Sequence, residues 1–169
     1  MQGEGRGTRP GAAEDEAQWL TTIAEHHHRL GHRGGSIVLF PRFSPEHVEQ
    51  MADHLGLTLF DFQREVMADF GSDADTLDLA LLDDSLRERA KAGGIVSHNV
   101  EALLSVKPEQ ERRAWLQAFL DADWPNPVLL PITLYQGEVP EGHERVCDLE
   151  LYRLPRQTKA AVDATSGIR

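Results

Sequence analysis

The chain has 169 residues, 40% of them hydrophobic and 27% charged, with 28 acidic against 17 basic side chains and a net charge of −11. A fold of this length buries roughly 70% of the surface its unfolded chain exposes, and the single cysteine, Cys147, excludes an internal disulfide frame. The acidic balance argues against a general electrostatic grip on nucleic acid or an anionic membrane, no apolar run approaches the ~18 residues of a membrane span, and residues 1–13 hold no apolar signal core; a cytoplasmic protein is expected.

Residues 1–13 carry four glycines and no large apolar side chain beyond Met1, so they read as a disordered leader. A single domain over 14–155 follows, and 156–169 reads as a flexible tail. From Glu14 to Leu30, Trp19, Leu20, Ile23, His27 and Leu30 fall at helical spacing. Ser36 to Phe40 is a short continuous apolar run, the mark of a strand covered on both faces. Ser44 and Pro45 then suit the cap and first residue of a helix bearing Val48, Met51 and Leu55. Leu57 to Phe60 predicts a second strand, with Asp61 capping a helix that carries Phe62, Val66 and Phe70.

A longer helix is expected from Thr76 to Ala92, with Leu79, Leu82, Leu86 and Ala90 on one side. Ile95 to Ser97 reads as a third strand, with Asn99 as a helix cap and Glu101 in the first helical turn, where the dipole stabilises a carboxylate. Pro108 opens a helix whose Trp115, Leu116, Phe119 and Leu120 form a buried stripe. Val128 to Tyr135 is a fourth strand in which Pro131 belongs at an edge, a bulge or an end, and Arg145 to Tyr152 is a fifth with Cys147 facing the core. Strands alternating with helices predict a three-layer α/β sandwich with a mainly parallel sheet, its ligands or partners meeting the carboxyl ends of the strands.

In phosphate-binding α/β domains the loop after the first strand is rich in glycine, so that successive N–H groups curl around the anion, and a lysine adds charge. The corresponding loop here is Phe40-Pro41-Arg42-Phe43-Ser44-Pro45, without glycine or lysine and with two residues that lack an N–H. A triphosphate cradle is not expected. Arg42 is open to two readings, an anion contact or a surface residue. Nucleotide hydrolases also end a buried strand with an aspartate that holds Mg²⁺, whereas this strand runs into His98-Asn99-Val100-Glu101.

The stretch Gly94 to Leu104, then Trp115 to Leu120, then Pro127 to Ile132 resembles the second half of small P-loop-fold proteins. It is similar to the small P-loop component of BREX-type bacterial phage-defence systems, in which an apolar strand leads to an asparagine and an acidic residue. The resemblance runs from about Gly34 to Tyr152 in order of elements, and departs from the family at Pro41 to Pro45 and at His98. It implies P-loop NTPase-like topology and a degenerate, non-catalytic accessory or regulatory subunit that works through other protein subunits; no cofactor is expected, and the acidic charge argues against direct nucleic acid or membrane contact. The alternative is a nucleotide-binding switch or enzyme with an atypical site. Arg42, Ser44, His98, Asn99 and Glu101 are the contact candidates under either reading.

Two other patterns invite a metal. His28 and His32 lie one helical turn apart near Glu25, a spacing that can ligate zinc, but Gly31 intervenes, the pattern is not that of a zinc hydrolase, and a solvated helix end is the preferred reading, so no metal is expected. The acidic run from Asp73 to Asp84 lacks the glycine and glutamate that a calcium loop needs at its sixth and twelfth positions.

Overall fold

A computed structural model of the chain describes residues 10–31 and 34–149. The leader over residues 1–9, the tail from residue 156, and His32 of the candidate metal pair lie outside the described residues. Helix α1 spans Pro10–Arg29, starting ahead of residue 14 because proline suits a first turn and Ala12 and Ala13 are strong helix formers. Among its residues from 18 onward, the buried ones are Trp19, Ile23 and His26, at the spacing i, i+4, i+7. The face therefore turns on His26, where His27 was expected, and the His26 Nε2 meets the Glu144 carbonyl at 2.9 Å.

Five parallel strands form one sheet: β1 (Gly35–Leu39), β2 (Thr58–Asp61), β3 (Ile95–His98), β4 (Val128–Ile132) and β5 (Val146–Asp148), in the order β2-β3-β4-β1-β5. Helix α1 and α2 (Pro45–Leu55) cover one face, burying Trp19, Ile23, Val48 and Met51 against Val38, Val96, Leu129 and Cys147. On the other face, α4 (Leu79–Ala92) and α6 (Glu109–Asp121) pack Leu82, Leu86, Trp115, Leu116 and Phe119 against Ile37, Ile95, Val128 and Leu130. The protein is a three-layer α/β sandwich. Fully burying one such large apolar side chain is worth ~1.5–3 kcal/mol, which is why the helix stripes dominate the packing.

Local chemistry sets the boundaries. Gly35 starts β1 where an added Cβ would stand 2.9 Å from the Phe119 ring, so only glycine admits α6 and Trp124 this close. Gly56 closes α2 in the left-handed region, at φ 67°. The helix expected from Thr76 starts three residues later, because the Asp78 carboxylate accepts from the Leu81 N–H and the preceding Met67–Thr76 forms 3₁₀ turns. Between Phe62 and Phe70 the expected helix lasts only four residues, α3 (Phe62–Glu65).

Pro131 sits inside β4, an interior strand, in register with Val38 of β1. The expectation of an edge or end fails for a geometric reason. Ile132 presents its carbonyl to Phe40 on the β1 side, so the nitrogen of Pro131 faces β3, and the β3 ladder stops at the Val96 and Leu129 pair. Strand β3 itself runs on to His98, and the missing donor falls just past the last pair of that ladder. The connection leaving β1 runs over one face of the sheet and those leaving β2 and β3 over the other, which opens a crevice at their carboxyl ends.

Candidate functional site

The crevice is a cleft of about 290 Å³ walled by the loop after β1, the end of β3, the short helix α5 (Glu101–Leu104) and the chain leaving β4. Phe40, Val48, Ala102 and Pro131 supply apolar wall, and Ser44, Gln63, His98, Asn99, Glu101 and Thr133 supply polar groups. Four of the five sequence candidates therefore come together. The fifth, Arg42, is half-buried in the same loop but outside the wall.

The loop after β1 keeps the two prolines at its ends and projects Phe43, 64% exposed, over the cleft. Phe43 stacks on His98 with ring centroids 5.8 Å apart and planes 13° from parallel. Ser44 stands at the cap position of α2, yet its hydroxyl makes no capping bond and pairs instead with the His47 ring.

His98 ends β3 with 8% of its surface exposed. Burial pushes its pKa below the usual histidine value, and the nearby Asp61 carboxylate only partly offsets this, so the ring is neutral near pH 7. Asn99 departs from the sequence reading. It adopts φ +62°, left-handed, and its Nδ2 donates to both oxygens of Asp61 at 3.1 Å in place of capping α5. Asparagine is among the few residues that reach this region at low cost. Asp61 is thereby shared, since it also accepts from the Arg64 N–H at 3.1 Å while its own N–H donates to Glu65 at 2.9 Å.

Glu101 departs further. It lies in the first turn of α5, but its carboxylate reaches across to the chain leaving β4 and accepts three successive backbone N–H groups: Thr133 at 2.7 Å, Leu134 at 2.7 Å and Tyr135 at 3.1 Å. Such a run of inward N–H groups is an anion-binding nest. In this protein the anion is its own side chain. Burial pushes the Glu101 pKa up, and the three N–H donors pull it back down. The nest is braced from behind, where Arg112 grips Glu138 through two bonds of 2.7 and 2.6 Å and lies 4.3 Å over the Tyr135 ring. The Gln136 side chain ties the same segment to the Phe40 carbonyl.

Sequence reasoning marks Asp61 as one of the strand-end positions and misses Gln63, Thr133 and Leu134 as site residues. Asp61 had a visible signal as a helix cap, but the partnership with Asn99 spans 38 residues of chain and leaves no local trace. Among the described residues no group of three His, Cys, Asp or Glu side chains is close enough to hold a metal ion, and no helix is long and apolar enough to cross a membrane. Cys147 is buried against the α1 and α2 face, and desolvation pushes its thiol up to about 11. No protein-family description, curated protein or solved structure matches the chain.

Proposed function

We propose that the protein is a non-catalytic accessory or regulatory subunit that acts through protein contacts at the carboxyl edge of its sheet, within P-loop NTPase-like topology. The observation that carries this reading is the Glu101 carboxyl group seated on the three N–H groups after β4, which occupies a backbone nest in the cleft wall. A phosphate arriving there would meet donors already taken by a side chain of the protein itself. The loop after β1 supports the same conclusion, because its prolines and Phe43 replace the curled backbone a phosphate requires. Phe43 and Leu134, 64% and 71% exposed on opposite sides of the cleft, suit the buried anchor positions of a protein interface. A bacterial phage-defence assembly is the setting that the resemblance implies.

The second reading is a ligand-dependent switch or enzyme with an atypical site. The convergence of Ser44, His98, Asn99 and Glu101 on one cleft favours it. Thermal unfolding in ATP, GTP and Mg²⁺ separates the two. The accessory subunit should melt at the same temperature with and without nucleotide, whereas a specific ligand at a hundred times its Kd adds about 2.7 kcal/mol of stability. A nucleotide-dependent rise in Tm that disappears in Asn99→Ala would overturn the first reading. Loss of a native partner from Phe43→Asp and Leu134→Asp variants of unchanged Tm would support it.

A further inference from the structure

The inside of the cleft carries polar groups that the fold leaves without a partner. His98 is 8% exposed, yet among the described residues nothing hydrogen-bonds its ring, which meets only the stacked Phe43 and the field of Asp61. Its nitrogens are not sealed in. The unpartnered side-chain atoms closed off from solvent among the described residues are Trp19 Nε1 and Ser97 Oγ, so the nitrogens of His98, which lines the cleft, open into it. A neutral imidazole offers one donor and one acceptor there. The Gln63 amide on α3 and the Thr133 hydroxyl after β4 line the same space, and both are also unpaired among the described residues.

The rest of the wall disfavours an ion. Among the described residues no lysine or arginine lines the cleft, the three N–H groups after β4 are taken by Glu101, and Asp61 sets a negative charge beside His98. An anion would shed its water here and gain no counter-ion. A cation fares little better, because Asp61 is already shared between Asn99 and the start of α3. A flat uncharged ring fits the remaining surface. Phe43 and His98 already stack with planes 13° apart, and a further ring can join them against the apolar wall of Phe40, Val48 and Pro131. At about 290 Å³ the cleft stands at the small end of ligand sites, which run from roughly 300 to 1,000 Å³, and suits a single ring system.

We propose that the cleft binds an uncharged planar amide, either an aromatic carboxamide or a lactam the size of a nucleobase, with its ring against Phe43 and its amide edge hydrogen-bonded to His98 and Gln63. An amide edge sets a donor beside an acceptor, which complements both a neutral imidazole and a glutamine side chain. The carboxylate of similar shape offers acceptors alone and brings a charge that nothing in the wall offsets. This site goes beyond the accessory-subunit reading and does not rest on it, since it is built from the unpaired groups inside the cleft and needs no partner protein.

The test titrates benzamide, nicotinamide and uracil into the full-length chain, each beside its carboxylate counterpart benzoate, nicotinate or orotate. Binding is read by saturation transfer to the ligand and by the ring resonances of isotope-labelled His98. At least one amide should bind saturably, shift the His98 resonances, and hold about tenfold tighter than its carboxylate counterpart. His98→Phe keeps a ring under Phe43 and removes both nitrogens, and should abolish the binding. Gln63→Ala changes an exposed position that the core does not use, and should weaken it severalfold. Three amides without saturable binding, equal affinity for amides and carboxylates, or binding unchanged in folded His98→Phe and in Gln63→Ala would each overturn the proposal. If an amide binds at His98 while Phe43→Asp and Leu134→Asp keep the native partner, the ligand site stands and the accessory-subunit reading fails. If no amide binds while those variants lose the partner, the reverse holds.

Discussion

The two loops that face each other across the cleft solve opposite problems. The loop after β1, Phe40 to Pro45, has few backbone donors to offer and meets the cleft with a phenylalanine ring and a hydroxyl turned to His47. The loop after β4 offers three donors in a row, and the fold satisfies them internally with Glu101. An edge can lose its grip on an anion by withdrawing its donors or by neutralising them. This protein does one on each side, and only the first is visible as missing glycines.

The comparison breaks most sharply at Glu101. Glu101→Ala leaves the three N–H groups without their acceptor and should cost about 2–3 kcal/mol in chemical denaturation, the range for losing charge-assisted bonds to a half-buried carboxylate. The vacated nest should then accept a free carboxylate. Acetate is expected to raise the Tm of Glu101→Ala and leave the wild type unchanged; equal responses would mean that the donors are not preorganised.

Next comes the strand end between the loops. Asn99→Ala loses both bonds to Asp61 and holds an alanine at φ +62°, for an expected cost of about 1–2 kcal/mol, while Asn99→Gly restores the backbone and should cost less. A larger cost for glycine than for alanine would show that the backbone conformation is unimportant.

His98 and His26 sharpen the comparison through pH. Burial holds both below the ordinary value of 6.5, so the unfolded chain binds more protons than the native protein as pH falls through that value. Stability is fully present above pH 6.5 and is lost as pH drops toward the depressed values, by at most ~1.4 kcal/mol per pH unit for each histidine. His98→Gln should remove its share of that slope in urea titrations between pH 7.5 and 5.5, and an unchanged slope would exclude His98 as a contributor. The smallest effect lies just upstream. The Ser97 hydroxyl in β3 is fully buried with no hydrogen-bond partner, so Ser97→Ala should leave stability unchanged or raise it by up to ~1 kcal/mol, readable as a small increase in Tm.

Much of the architecture was legible because it depends on short-range periodicity. The continuous run at Ser36 to Phe40 marked a covered strand, and the Trp115, Leu116, Phe119, Leu120 stripe marked a buried helix face, since each pattern shows in a few neighbouring residues which side chains must be covered by a packed layer. The candidate site was legible only as positions. Ser44, His98, Asn99 and Glu101 were marked by their place after strands, while the role of Asn99 was misread, because local spacing shows a cap as readily as a long-range bond to Asp61.

The amino-acid sequence by itself determined an acidic α/β chain, the absence of a glycine-rich phosphate loop, and which helix faces turn inward, all consequences of composition and of the 3.6- and 2-residue repeats. The tertiary structure alone decided that the pairing of β3 with β4 stops at Leu129, ahead of Pro131, that Asn99 answers to Asp61, and that Glu101 belongs to the backbone leaving β4. Each of those joins residues more than 30 positions apart, and hydrogen bonds of that reach are set by which strands lie side by side and not by any neighbour along the chain.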